Sequence, residues 1–393
     1  MYICIYFFEK TSKQMHYFIS AGEASGDIHA AELIKQLRVA DSAARFTFLG
    51  GDLMSAAAGI APLIHYRDMA FMGFCEVIRH LDKVLHNLST AKKAIASQRP
   101  DALILVDYPS FNLKLAKEAV KLDIPVFYYI SPKVWAWKEG RVRKIKRYVK
   151  RMLSILPFEV AYYRDKHGYD IDYVGNPTIK EVDERLASLG TEQSFRSKHG
   201  LGSDRPILAL VPGSRVGEIR NNLPVMAEVA RRHPDMLPVV AGAPAIERDI
   251  YRRYCDFDIV DNDTFALMAH ARGALVTSGT ATLEAALTGV PQVVCYRANG
   301  SRISYNIFKH ILKIPFVSLP NLIAGKAIVA EQLVHLCNPD LVDAELVKVL
   351  PQGTGHDTQQ QGYKELRKIL TTADAAANAA GIIYTEAQTN RNT

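Results

Sequence analysis

Four short stretches carry residue types and spacings suited to catalysis or ligand binding. The first is Ala21-Gly-Glu-Ala-Ser-Gly-Asp27. Gly22 and Gly26 permit close backbone approach, Ser25 or Asp27 can cap a following helix, and Glu23 adds a carboxylate. The spacing is neither GxGxxG nor a Walker loop, so a dinucleotide is disfavoured. A plain strand-to-helix turn is the competing interpretation. The second is Asp107, followed by Tyr108-Pro-Ser-Phe-Asn112. A carboxylate at a strand tip can serve as a general base or accept a hydrogen bond from a sugar hydroxyl. It can equally be a helix cap. The third is Pro212-Gly-Ser-Arg215, with Glu218 close behind. Backbone N–H groups of Gly213 and Ser214 at a helix start, plus the Arg215 cation, suit a diphosphate. The fourth is Ser278-Gly-Thr-Ala-Thr-Leu-Glu284. Ser278, Gly279, Thr280 and Ala281 would cradle phosphate oxygens at a helix N-terminus, and Glu284, one turn on, can accept both hydroxyls of a ribose. A weaker fifth stretch, Phe316–Gly325, offers Asn321 to a base or phosphate.

These stretches need strand ends to hold them. Short apolar runs at His16–Ala21, Arg45–Gly50, Ala102–Asp107, Pro125–Ile130, Met152–Leu156 and Tyr173–Gly175 read as strands. Amphipathic segments such as Ile28–Val39, Ala91–Gln98 and Leu113–Val120 lie between them. The pattern restarts after Gly175-Asn-Pro-Thr178, with strands at Ile207–Val211, Leu237–Ala241, Ile259–Val260, Ala274–Thr277 and Gln292–Tyr296. Alternating β and α units imply parallel sheets covered on both faces. The expected fold is therefore α/β, with two Rossmann-like domains facing across a cleft. Ligands of such sheets bind outside the carboxyl ends of the strands.

The chain has 393 residues, of which 48% are hydrophobic and 23% charged, so a disordered chain, a fibre and a coiled coil are excluded. Five cysteines (4, 75, 255, 295 and 337) show no metal-ligand spacing and fit a reducing compartment. The net charge is +7. Lys138–Arg151 holds eight bases and one acid, which equals that whole excess. With Val142, Ile145 and Val149 at helical spacing, this strip reads as an amphipathic basic helix for anionic lipid or phosphate, or as a solvated helix face. No aromatic-interleaved motif supports nucleic acid. Met69–Leu85 would align Phe71, Phe74, Val77, Ile78, Leu81 and Leu85 on one face, either as a buried core helix or as an acyl-chain and bilayer contact.

The opening MYICIYFF is too short to span a bilayer and lacks signal-peptide features. Met15 stands directly before the first strand, so residues 1–14 read as an upstream extension. The Ala-, Thr- and Asn-rich tail from Thr371 is expected to be poorly ordered.

Together these segments resemble lipid-A-disaccharide synthase, an inverting glycosyltransferase family of the GT-B type. The carriers, in the family's order, are Ala21–Asp27, Met72-Gly-Phe-Cys-Glu-Val77, Val106–Asn112, Ser131-Pro-Lys-Val-Trp-Ala-Trp137, Leu156-Pro-Phe-Glu159, Val174-Gly-Asn-Pro177, Pro212–Arg215, Ser278–Glu284 and Ser318–Gly325. Two positions depart from the family pattern: Ser110 stands where Asp is usual, and Asn176 where His is usual. The resemblance implies transfer from UDP-2,3-diacylglucosamine to 2,3-diacylglucosamine 1-phosphate (lipid X), with no cofactor and no metal. It implies Asp107 as the base and Arg215 with the Ser278–Thr280 turn on the diphosphate. Glu284 would bind the ribose, with Gly22, Glu23, Ser25, Gly26, Asp27, Gly213, Ser214, Glu218, Ala281, Asn321 and Gly325 around the substrates. Residues 15–177 would form the acceptor and lipid domain, 178–350 the UDP-sugar domain, and 351–393 a C-terminal helix and flexible tail. The Tyr363–Leu370 region is the candidate for a helix that returns to the first domain or swaps into a partner, which makes a homodimer plausible. A cytoplasmic enzyme, peripheral to the inner membrane through Met69–Leu85 and Lys138–Arg151, follows. Another UDP-sugar transferase, a 2-epimerase and a non-catalytic lipid-binding protein are the alternatives.

Overall fold

A computed structural model describes residues 14–69, 81–135, 138–244, 246–297, 316–370 and 374–392. Most of Met69–Leu85, together with Ala136 and Trp137 and the first 13 residues, lies outside them.

Thirteen strands are described, and all their pairings are parallel. The first sheet comprises β1 (His16–Ala21), β2 (Arg45–Gly50), β3 (Ile64–His65), β4 (Ala102–Val106), β5 (Val126–Tyr129), β6 (Arg151–Ser154) and β7 (Asp172–Tyr173), in the order β3-β2-β1-β4-β5-β6-β7. The second comprises β8 (Ile207–Val211), β9 (Leu237–Gly242), β10 (Asp258–Asp261), β11 (Gly273–Thr277), β12 (Gln292–Tyr296) and β13 (Ala330–Leu333), in the order β10-β9-β8-β11-β12-β13. Central strands such as Ala102–Val106 and Ile207–Val211 are buried throughout, as strands covered by helices on both faces must be. Along β1, Tyr17 and Ile19 enter one core and Phe18 the other, the period-two alternation of a pleated strand. In each sheet the strand order reverses once, between β1 and β4 and between β8 and β11. A crevice opens outside the carboxyl ends at such a reversal.

The basic strip is not one helix. A 3-10 turn at Glu139–Arg141 precedes a helix of only seven residues, Val142–Tyr148, and Arg151 already begins β6. Its bases are divided accordingly. Lys150 and Arg151 pair with Glu386 at 3.1 and 3.6 Å, and Lys146 donates to the carbonyl of His167 at 2.7 Å. Arg143, Lys144 and Arg147 stay exposed.

The chain end also differs from expectation. The helix His356–Leu370 stays on the second sheet, where Gln359 and Gln292 exchange side-chain and main-chain hydrogen bonds at 3.0 and 2.9 Å. The tail forms a second helix, Ala375–Asn392, which returns to the first sheet and covers the helix Ala24–Ala40. Ala375, Ala379, Ala380, Ile383 and Ala387 are buried there. The small side chains of this stripe let two helices approach closely. Burying Ile383 contributes roughly 2 kcal/mol, which outweighs the cost of about 1 kcal/mol for Gly381 inside the helix. Asn378 donates to the carbonyl of Val174, and Arg391 pairs with Asp101 at 3.3 Å.

Candidate functional site

On the first sheet the site forms at the ends of β1 and β4. Glu23 takes the N-cap position of the helix Ala24–Ala40 in extended conformation, without a side-chain cap bond. Asp27 caps a different helix from the one expected. Its carboxylate is buried and accepts from the N–H groups of Gly51, Leu53 and Met54 at 2.7, 3.1 and 3.2 Å, closing the start of helix Asp52–Ala58. Ser25 is exposed on the first turn of its helix. Gly26 is buried, and an added Cβ would lie 3.3 Å from that of Ala21, so a larger side chain would push the helix off its strand. A Cβ at Gly22 would collide with the ring of Tyr108, so the Gly22 turn and the Asp107 turn are in contact.

Asp107 and Tyr108 both adopt left-handed backbone, with φ of 43° and 45°. Such a pair outside glycine is strained and persists only when its surroundings enforce it. Asn112 Nδ2 and the Tyr128 hydroxyl donate to the Asp107 carbonyl at 2.8 and 2.5 Å, and the Tyr108 hydroxyl donates to the Met69 carbonyl at 2.8 Å. Burial pushes the Asp107 carboxyl above its ordinary range, against the pull of Lys133, the Tyr108 N–H and Arg141. A carboxylate made more basic in this way is better suited to taking a proton from an alcohol.

On the second sheet the site forms at the ends of β8 and β11. A cavity of about 580 Å³ is lined by Gly213, Ser214, Arg215 and Glu218 on one loop and by Ser278, Gly279, Thr280 and Ala281 on the other. Lys133 and Trp135, from the first half of the chain, complete its wall. The Pro-Gly-Ser-Arg turn already holds an anion of its own. The Glu218 carboxylate accepts from the Ser214 N–H at 3.0 Å and pairs with Arg215 at 3.2 Å. Gly213, at φ 114°, leaves room for it, since a Cβ there would strike Glu218. Ser278 Oγ donates to the Val317 carbonyl at 3.0 Å.

Glu284 lies one turn into the helix Thr280–Thr288, half-buried and outside the cavity wall. Burial raises its pKa, with Arg185 opposing. Asn321 does not face the cavity. It is buried, its amide donates to Val329 O and Glu331 Oε1, and its oxygen accepts from the N–H groups of Ile328 and Val329. All of its hydrogen-bonding capacity thus goes into anchoring its loop. Gly325, at φ 65°, ends the helix Leu319–Ala324.

The two halves sense one another. Burial and Asp107 raise the pKa of Glu23, while Arg215 and Lys133 lower it. Carboxylates from the first sheet and a guanidinium from the second therefore share one field across the cleft. Among the described residues no cluster of His, Cys, Asp or Glu is placed to hold a metal ion, and no helix is long and apolar enough to cross a membrane.

The family model of lipid-A-disaccharide synthetase matches residues 17–382. The chain belongs to this family. A lipid-A-disaccharide synthase of Myxococcus xanthus is 42% identical over 371 residues, covering 92% of this chain and 95% of the relative. One of Acidobacterium capsulatum is 38% identical over 385 residues, covering 92% and 93%. Among solved structures, the UDP-GlcNAc 2-epimerase of Neisseria meningitidis bound to UDP-GlcNAc superposes with a TM-score of 0.64 at 13% identity, covering 95% of this chain and all of that one. A glycosyltransferase of kitacinnamycin superposes with a TM-score of 0.60 at 15% identity, covering 95% and 99%. These likenesses show the two-domain fold alone.

Within the family's Ser131–Trp137 stretch, Lys133 and Trp135 reach the cavity, which sequence reasoning had not singled out. Behind them sits another missed residue, Glu159, buried beneath the loop. It accepts from Trp135 Nε1 at 2.7 Å and from the Ser154 hydroxyl. Burial pushes its carboxyl up to about 7.

Proposed function

We propose that the protein joins UDP-2,3-diacylglucosamine to lipid X, forming the β(1→6) lipid A disaccharide 1-phosphate and UDP. Membership of the lipid-A-disaccharide synthetase family supports this, and the observation that carries it is that Lys133, which acts on the Asp107 carboxyl, lines one cavity with Arg215 and the Ser278–Thr280 turn. Residues 15–177 receive the acceptor, residues 178–350 hold the UDP-sugar, and residues 351–393 close the chain over both.

The acceptor O6–H gives its proton to the Asp107 carboxylate while the oxygen lone pair forms the bond to the donor C1. The bond from C1 to the diphosphate oxygen breaks on the opposite face, and UDP leaves with the electron pair, so the α-linked donor gives a β product. The negative charge that accumulates on the diphosphate is met by Arg215 and by N–H groups at the start of the helix Thr280–Thr288. Glu284 accepts the ribose hydroxyls. Glu23, beside Asp107, is the second carboxylate within reach of the acceptor.

The substrates carry acyl chains, so the enzyme works at a membrane surface. The exposed bases Arg143, Lys144 and Arg147 face anionic headgroups of the inner leaflet, and the Met69–Leu85 segment contacts acyl chains.

The test is to incubate the purified protein in detergent with both substrates and follow UDP and the disaccharide. Equal amounts of both products are expected. Folded protein that yields neither contradicts the transfer. UDP released without disaccharide points to a different UDP-sugar reaction.

A further inference from the structure

Two cations stand beside the Asp107 turn without an ion pair among the described residues. Arg141, half-buried at the start of the helix Val142–Tyr148, donates from Nη2 to the hydroxyl of Ser110 at 2.7 Å. Ser110 is three residues from Asp107, on the first turn of the helix Pro109–Val120. Lys133 is exposed on the cleft wall. Both cations are near enough to act on the Asp107 carboxylate, yet among the described residues neither forms an ion pair. Neighbouring bases are used differently: Lys150 and Arg151 are tied to Glu386, and Arg215 to Glu218. The direct hydrogen-bond partner of Arg141 is a neutral hydroxyl, and the Asp107 carboxylate acts on the guanidinium without an ion-pair contact. Arg141 has spent one of its five N–H donors on Ser110.

We propose that Arg141 and Ser110, with Lys133 across the turn, bind the phosphomonoester of the acceptor, a glycosyl 1-phosphate. This rests on the transfer described above. A phosphate dianion needs more than one positive charge, and a guanidinium fork meets two of its oxygens at once. The Ser110 hydroxyl supplies a further donor. In a hexose, C1 and C5 flank the same ring oxygen and C6 is attached to C5. A phosphate on O1 and the hydroxyl on C6 therefore reach neighbouring side chains, here Arg141 and Asp107. Arg141 does not line the cavity that holds Arg215 and the Ser278–Ala281 turn, so the two phosphate-bearing ligands have separate anchors. Lys133 lines that cavity and also acts on the Asp107 carboxyl.

Titration of lipid X and of dephosphorylated 2,3-diacylglucosamine, each in detergent micelles, into wild type and Arg141→Gln tests this without requiring turnover. Wild type should bind lipid X more tightly than the dephosphorylated sugar. Arg141→Gln should lose roughly ten- to a hundredfold in lipid X affinity, the worth of a charged hydrogen-bonding partner. Its affinities for the dephosphorylated sugar and for UDP should match wild type. Arg141→Gln that keeps the preference for lipid X, or that weakens both sugars equally, overturns the assignment. So does a wild type indifferent to the phosphate. Absence of disaccharide in the product assay, with phosphate-dependent binding intact, would instead count against the transfer alone.

Discussion

The side-chain amide of Asn112 lies 2.8 Å from the main-chain carbonyl oxygen of Asp107, and the same nitrogen reaches the carbonyls of Val106 and Ser20 at 3.2 and 3.3 Å. Its oxygen accepts from the Ser20 hydroxyl at 2.7 Å. One buried side chain thus ties β1 to β4 and fixes the left-handed turn that carries the base. Replacing Asn112 by Leu keeps the branched shape, removes the amide and strands these carbonyls. It should cost about 2–4 kcal/mol in denaturant unfolding and lower kcat at least tenfold at temperatures where the variant is folded. Near-normal kcat would mean that the turn holds without the clamp.

Glu218 occupies the turn where the donor diphosphate is expected. Its pair with Arg215 is exposed, and such pairs contribute about 0.2–1 kcal/mol. Glu218→Ala should therefore tighten UDP binding by about two- to fivefold, because it frees Arg215 and the Ser214 N–H. Arg215→Ala should weaken it. Calorimetry distinguishes these outcomes, and weaker binding in Glu218→Ala would make Glu218 a nucleotide contact.

The Glu159 carboxyl sits at about 7 in the folded protein, above its ordinary 4.5. The folded state therefore binds the proton more readily than the unfolded chain. The favourable contribution is complete below the ordinary value and is lost as pH rises through about 7. The loss is on the order of 3 kcal/mol. Glu159→Gln cannot ionise, yet still accepts from the Trp135 indole. Wild type should lose stability relative to Glu159→Gln between acid and neutral pH, measured by denaturant unfolding. Parallel profiles would contradict this.

Arg143, Lys144 and Arg147 are the bases left facing outward. Neutralising all three to Gln should weaken binding to anionic vesicles at low salt, by up to about 1 kcal/mol per base, and leave binding to neutral vesicles unchanged. Undiminished binding to anionic vesicles would assign the three bases to an ordinary solvated face.

The strands that hold the site were legible because central parallel strands are continuous apolar runs, as in Ala102–Val106. Edge strand β13 was missed. Its sequence Ala-Glu-Gln-Leu is half polar and only four residues long, and Glu331 turns out to gather the N–H groups of Val317 and Ser318. The tail looked structureless because alanine stripes carry little hydrophobic signal until a second helix closes on them. The glycine-rich turns could be read as ligand loops, since the need for small residues is local. The clamp from Asn112 to Ser20 spans 92 positions, and the Arg141–Ser110 pair spans 31. Neither has a spacing rule. Asp27 and Asn321, whose side chains are taken up by backbone partners, show the opposite limit: a polar residue in a loop gives no sign of whether its partners are ligand or backbone.

The most direct test is the transfer rate of Asp107→Asn beside wild type, from mildly acid to mildly alkaline pH, with UDP affinity measured in parallel. The wild-type rate should rise with pH as the base loses its proton, with its midpoint above the ordinary carboxylate range because burial raises Asp107. Asp107→Asn should bind UDP normally and lose about a hundred- to ten-thousandfold in rate. A variant that keeps a rate within about tenfold of wild type, with the same pH dependence, would contradict Asp107 as the base and shift that role to Glu23.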